Sequence, residues 1–203
     1  MIAIIDYKAG NLASVANAFR RLDTDFIITN KITDLERSDG IIFPGVGHAY
    51  AAMSAVKEVQ LDGWLKQSKK PLLGICLGMQ LFFEGSEEGD TETLGIIPGY
   101  LKKFDSSKGK VPHMGWNTFD AFEGDHPLLK GLSKESYFYY VHSYYAPVNE
   151  ATIATCNYIN PFASVVVKDN FYGVQFHPEK SGDAGEILLK NFLSLVHASG
   201  VKV

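Results

Sequence analysis

Apolar residues follow two rhythms along this chain. Residues 2 to 6 (IAIID), 25 to 29 (DFIIT), 40 to 45 (GIIFPG) and 71 to 75 (PLLGI) form short runs that are apolar almost throughout. Runs of that length without alternation predict strands buried on both faces. Elsewhere the apolar positions recur every three or four residues, which predicts helices. Such spacing joins Leu12, Val15, Phe19 and Leu22 after Asn11, and it holds for residues 49 to 67, for LGMQLFFE from Leu77, and for residues 183 to 198. Strands that alternate with helices build a parallel sheet covered on both faces, so the first half reads as α/β.

After about residue 90 the pattern turns β-rich: LGIIPGYLKKF, YFYYVHSYYA at 137 to 146, TIATCNYI at 152 to 159, ASVVVK and FYGVQF. These are expected to add antiparallel or mixed strands to the same sheet. No repeat, linker or low-complexity tract interrupts the chain, and 203 residues suit one core. A single domain over residues 1–203 is therefore expected. The acidic stretch EGSEEGDTET at 84 to 93 is the best candidate for a mobile surface loop.

Composition narrows the partners. With 46% hydrophobic and 21% charged residues the chain is an ordinary globular one. A formal charge of −4, with no basic run longer than Lys69-Lys70 or Lys102-Lys103, leaves no electrostatic footprint for nucleic acid. The longest apolar runs are strand-sized, far short of the ~20 residues of a membrane helix. Met1 leads into IAIID without a basic leader, so a soluble, cytoplasmic protein with no membrane contact is expected. Cys76 and Cys156 are then expected to be free thiols. The six histidines show no CxxC, HxxxH or carboxylate cluster of metal spacing, so no metal is expected. GxxxxGK[ST] is absent and GVGHAY lacks the third glycine of a dinucleotide site, so no cofactor is expected either.

In open parallel sheets, ligands bind beyond the carboxyl ends of the strands. Three segments stand at such ends: PGVG at 44 to 47, CLG at 76 to 78 and HPEK at 177 to 180. Gly74-Ile75-Cys76-Leu77-Gly78 has the form of a nucleophile elbow with cysteine as the nucleophile. There a helix N-terminus would favour the thiolate, and the Leu77 amide would be aimed at an oxyanion. The alternative is a buried cysteine between glycines that serve only close strand-helix packing. His177 is the strongest candidate for a base, because Pro178 biases it towards extended geometry. In extended chain Glu179 projects to the same side and can take the proton of the other ring nitrogen. Cys76, His177 and Glu179 then follow the logic of a catalytic triad. PGVG offers unobstructed backbone amides, or is a plain turn into the next helix.

With GICLGMQ, PGVG and QFHPEK together, nearly the whole chain resembles the class I glutamine amidotransferases. That resemblance implies a flavodoxin-like fold, with a mostly parallel central sheet, helices on both faces and a β-rich C-terminal half. It also implies hydrolysis of L-glutamine to glutamate and ammonia through a cysteinyl γ-glutamyl thioester. Cys76 would be the nucleophile, His177 the general base and acid, and Glu179 the orienting carboxylate, with Gly47 and Leu77 giving the oxyanion amides. DYKAGNL at 6 to 12, PHMGWN at 112 to 117 and VHSY at 141 to 144 look like those of the branch serving histidine biosynthesis. The family's glutamine-binding positions then fall on Gln80, Glu88, His142, Ser143 and Tyr144. A (β/α)8-barrel cyclase is the implied partner and ammonia acceptor, contacting Asn11, Pro112, Met114, Trp116 and Asn117. Lys8 departs from the branch, which often has glycine there, and this puts only the partner-facing loop in question. Met and Trp in a Gly- and Pro-punctuated segment with no regular period suit a partner contact, although Trp116 would equally suit this chain's own core. A glutaminase of another synthase, a silent partner-binding module and a stand-alone cysteine hydrolase are the rival readings.

Overall fold

The computed structural model describes residues 1–8 and 11–200, so Ala9 and Gly10 of the DYKAGNL stretch lie outside the described residues. The four apolar runs become β1 (Ile2–Ile5), β2 (Phe26–Thr29), β3 (Gly40–Phe43) and β4 (Leu72–Ile75), all parallel. Helices α1 (Leu12–Arg21), α2 (Ile32–Arg37), α3 (Ala49–Glu58), α4 (Asp62–Gln67), α5 (Leu77–Gln80) and α6 (Gly182–Gly200) cover this sheet. Side chains of one strand face, such as Ile2, Ile4, Ile42 and Leu73, pack with Val15 and Phe19 of α1 and Leu188, Phe192 and Val196 of α6. The opposite face, including Ala3, Ile5, Ile41 and Leu72, packs with Leu35 of α2, Met53 and Val56 of α3 and Leu65 of α4. Both faces are apolar because both are covered, which is why these strands do not alternate.

The C-terminal half adds fewer strands to that sheet than expected. Strands β5 (Gly85–Ser86), β6 (Thr91–Glu92), β7 (Tyr100–Lys103) and β10 (Tyr144–Tyr145) form a separate four-stranded sheet, and β8 (His113–Asn117) pairs antiparallel with β9 (Phe138–His142). Only β11 (Thr152–Asn157), β12 (Pro161–Lys168) and β13 (Phe171–Val174) extend the main sheet, in the order β11-β12-β13-β4-β3-β1-β2. The run at 137 to 146 is thus two strands, parted at Ser143. The stretch 84 to 93 is a β5–β6 pairing with Gly85, Ser86 and Thr91 buried, so it is a packed element and not a mobile loop.

Two helices also differ from the pattern. Residues 49 to 67 break after Glu58, where Gln60 takes a positive φ of 57°. LGMQLFFE is α-helical only to Gln80, after which the chain tightens into i→i−3 turns, Phe82 N–H donating to the Met79 carbonyl at 3.0 Å and Phe83 N–H to the Gln80 carbonyl at 3.3 Å. Among the described residues no helix is long and apolar enough to cross a membrane.

The placement that matters lies at the carboxyl ends of β4 and β13, which run parallel side by side. Val174 sits opposite Ile75, so the residues that follow, Gln175 and Cys76, leave the sheet together. Cys76 N–H donates to the Val174 carbonyl at 2.8 Å, the last rung before the chains part.

Candidate active site

Cys76 has φ 53° and ψ −109°, a conformation that costs a side chain about 1–3 kcal/mol and survives only where neighbours enforce it. Two glycines do so. A Cβ on Gly78 would lie 1.8 Å from the Phe43 carbonyl oxygen, and one on Gly74 would lie 2.7 Å from the Met79 nitrogen. The two readings of the glycines therefore merge, since close strand-helix packing is what forces the sulfur outward. The helix that follows has only four residues, so the expected support from a helix dipole is small. The Leu77 amide, at the first turn, still has no intrahelical carbonyl to bond.

His177 leaves β13 in extended geometry, at φ −102° and ψ 93°, as the following proline favours. Glu179 is not reached by extended chain, because Pro178–Lys180 is a single 3-10 turn. That turn brings His177 Nδ1 to 2.8 Å from Glu179 Oε1, with both side chains buried. Its frame is backbone and one hydroxyl. His177 N–H donates to the Tyr139 carbonyl at 2.9 Å, while Ser181 Oγ donates to the His177 carbonyl at 2.6 Å and accepts from Tyr139 N–H at 3.0 Å. The other ring nitrogen, Nε2, has no hydrogen-bond partner among the described residues. Burial alone would lower the His177 pKa. The Cys76 sulfur, close enough to favour the charged ring although outside hydrogen-bond geometry, and then Glu179 outweigh burial and raise it to about 10.

Cys76 and His177 open into a cavity of roughly 270 Å³. Each of the expected glutamine and oxyanion residues lines it: Gly47, Leu77, Gln80, Glu88, His142, Ser143 and Tyr144. Val46, Pro112 and Val141 complete the wall. Their parts differ. Gln80 spends its amide nitrogen on the Tyr144 carbonyl at 3.0 Å and on Gln175 Oε1 at 2.9 Å. His142 has both ring nitrogens engaged, with Tyr144 O at 2.8 Å and His113 Nδ1 at 3.0 Å, and burial leads the causes that lower its pKa to about 3. It shapes the wall and has no free ring nitrogen to offer a ligand. Glu88 accepts from Ala49 N–H at 2.7 Å, tying the β5–β6 segment to the start of α3. The PGVG loop is pinned by Tyr7, whose hydroxyl donates to the Pro44 carbonyl at 2.8 Å, and Gly47 holds a φ of 107° that favours glycine.

The residues expected to meet a partner separate by strand parity. Within PHMGWN, His113–Asn117 form strand β8, contrary to expectation, paired residue by residue with β9 although Gly115 holds a φ of 142°, so neighbouring side chains point opposite ways. Met114 and Trp116 are 62% and 55% exposed, which rules out a Trp116 tucked into the core. Asn117 turns inward, donating to the Asn157 carbonyl at 3.0 Å. Pro112 borders the cavity, and Asn11 caps α1 by accepting from Ser14 N–H at 3.3 Å. Sequence reasoning missed Tyr7, His113, Gln175 and Ser181. Gln175 had a signal: it is a polar residue in the otherwise apolar run FYGVQF.

A doubly wound α/β sheet with a cysteine elbow beside a buried His-Glu pair defines a class, that of proteins equipped for thiol-based acyl transfer. A family model described as glutamine amidotransferase class-I matches residues 3–195. Imidazole glycerol phosphate synthase subunit HisH of Bacteroides fragilis (strain YCH46) is 49% identical over 196 residues, covering 96% of this chain and 99% of that protein. Imidazole glycerol phosphate synthase subunit HisH 2 of Legionella pneumophila (strain Lens) is 45% identical, covering 96% and 98%. Among solved structures, one described as a glutamine amidotransferase superposes with a TM-score of 0.73 at 16% identity, covering 97% of this chain and 100% of that one. PurLQS from Thermotoga maritima gives 0.66 at 15% identity, covering 96% and 98%. At those identities the structures speak for the fold alone. The chain belongs to the class I glutamine amidotransferases.

Proposed function

We propose that this chain is the glutaminase subunit of an imidazole glycerol phosphate synthase, hydrolysing glutamine and passing ammonia to a cyclase subunit in histidine biosynthesis. The observation that carries the reading is one cavity that holds the Cys76 elbow, His177 backed by Glu179, and the wall from Gln80 to Tyr144. The near-full-length likeness to the HisH subunits supports the choice of synthase.

In this scheme the Cys76 thiolate attacks the glutamine side-chain carbonyl carbon. The oxyanion that forms accepts from the Leu77 and Gly47 amides. Protonated His177 gives its Nε2 proton to the departing ammonia, leaving a γ-glutamyl thioester on Cys76. Water then attacks the thioester, His177 takes its proton, and glutamate leaves as the thiolate returns. Glu179 holds the ring through Nδ1 and stabilises its positive charge.

Ammonia free in water is mostly protonated and no longer nucleophilic, so hydrolysis should wait for an acceptor. The (β/α)8-barrel cyclase would dock on the Met114 and Trp116 face, with Pro112 and Asn11 at its margin. The test is glutamate release by the purified chain alone, then with the cyclase and its ribonucleotide ligand. A large increase with the loaded cyclase is expected. Equal rates in both conditions would overturn the partner-gated reading, and no turnover in either would overturn the choice of synthase.

A further inference from the structure

The Cys76 sulfur has a neighbour that the triad leaves unused. Gln175 is fully buried, and its side-chain nitrogen lies 3.6 Å from Cys76 Sγ. Which end of this amide faces the sulfur follows from a backbone group. The Tyr144 carbonyl can only accept, and Gln80 Nε2 lies 3.0 Å from it. The same Gln80 nitrogen lies 2.9 Å from the Gln175 side chain, so Gln175 must present its oxygen there. Its NH2 group is left facing the sulfur.

That carbonyl orders a second row of groups as well. His142 Nδ1, 2.8 Å from Tyr144 O, must carry a hydrogen. In the neutral ring Nε2 then accepts from His113 Nδ1 at 3.0 Å, which leaves His113 Nε2 to face Asn117 Nδ2 at 3.4 Å. Burial keeps both rings neutral, lowering His113 to about 4 and His142 to about 3. Each donor nitrogen in the two rows faces an acceptor, and flipping either amide would set oxygen against oxygen or nitrogen against nitrogen.

Resting on Cys76 as the nucleophile, we propose that Gln175 is a further catalytic residue, whose side-chain amide donates to the Cys76 sulfur and stabilises it as the thiolate. A thiolate accepts a hydrogen bond far better than a thiol or a thioester sulfur. The contact is therefore strongest before attack, weakens once the sulfur is acylated, and strengthens again as the thiolate leaves during thioester hydrolysis. It also fixes the side-chain rotamer against the Val141 carbonyl, 3.9 Å from the sulfur on the β9 side.

The test is the rate at which iodoacetamide alkylates Cys76 in the full-length chain, followed by peptide mass. Cys156 is an internal silent reference, fully buried and with its thiol pushed up to about 12. Gln175→Met keeps most of the volume and removes the donor. Alkylation of Cys76 at neutral pH should slow about tenfold or more. In the complex with cyclase, kcat should fall in parallel while KM for glutamine holds. A folded Gln175→Met chain that reacts and turns over like wild type overturns the assignment. If that variant does not fold, Gln175→Glu carries the test, because its acid form donates an O–H to sulfur and its carboxylate does not. Its alkylation rate relative to wild type should then fall as pH rises, and a ratio independent of pH would overturn the role. Glutamate release by Cys76→Ser would overturn the nucleophile itself, which is a separate outcome.

Discussion

Cys76 and His177 reach their places by different means, and variants should separate the two. The strain at Cys76 is in its backbone, so alanine inherits it along with the contacts at Gly74 and Gly78. Cys76→Ala should lower glutamine hydrolysis by at least about 10³-fold while the melting temperature stays within a few degrees of wild type. Assays of glutamate release and thermal melting check this together, and retained turnover would remove the thiol mechanism. His177 is raised in the folded chain from its ordinary 6.5 to about 10, with Cys76 and Glu179 overcoming burial. A group raised on folding contributes stability that is complete below its unfolded pKa and is lost as pH rises through the folded one. The melting-temperature gap between wild type and Glu179→Gln should thus be widest below about pH 6.5 and should close towards pH 10. A gap that ignores pH would show that His177 is uncharged. Cys76, His177 and Glu179 were legible in the sequence because each stands in a short motif at a strand end. Gln175 and His113 were not, because a polar residue inside an apolar run shows its purpose only when the neighbouring strand supplies its partner.

At the scale of elements the site depends on two approaches that leave no room for a methyl group. Gly78 lets α5 rest on the end of β3, and Gly185 lets α6 rest on the turn after His177, where a Cβ would lie 2.0 Å from the Pro178 carbonyl oxygen. Gly78→Ala and Gly185→Ala should each destabilise the fold by about 1–3 kcal/mol, as overpacking does. The second should also weaken the His177–Glu179 contact and so lower kcat more than KM, which steady-state kinetics at a temperature below both melting transitions would show. The β8–β9 pair has its own signature. His113 and His142 are held neutral, so the unfolded chain binds more protons below pH 6.5 and stability falls with pH from there towards about 4. His113→Gln should flatten that slope in urea melts between about pH 6.5 and 4.5. The parallel strands β1 to β4 and helices α1 and α6 were readable because two-sided burial and a single apolar stripe each leave a clear period. The small sheets were not. Strands of two residues such as β5, β6 and β10 have no period at all, and α2, at six residues, has too few apolar positions to show one. The acidic charge of 84 to 93 suggested solvent, yet Gly85, Ser86 and Thr91 pack inward, Glu88 turns to the cavity, and Glu84, Glu87, Asp90 and Glu92 are left outside.

Across the whole molecule the exposed apolar face and the sulfur are one strand apart. Met114 pairs with Val141 and Trp116 with Tyr139 across β8 and β9, and the Val141 carbonyl is the 3.9 Å neighbour of Cys76 Sγ. A partner seated on β8 thus presses on the strand that forms the cavity wall. Adjoining exposed apolar side chains mark a contact surface where single ones do not, and Met114 and Trp116 lie on the same side of β8, with Trp116 edge-on to Tyr139 at 6.0 Å between ring centroids. If that face holds the cyclase, Trp116 contributes to binding and hardly at all to this chain's own stability. Trp116→Ala should leave the melting temperature of the isolated chain nearly unchanged, since truncating an exposed side chain shifts stability by about 0.5 kcal/mol or less. The same change should weaken cyclase binding by about 2 kcal/mol or more, roughly thirtyfold in Kd, as loss of a buried aromatic anchor does. Calorimetric titration against the cyclase reads the second effect and thermal melting the first. A variant that melts several degrees lower yet binds normally would assign Trp116 to the fold, and the docking face would then have to lie elsewhere.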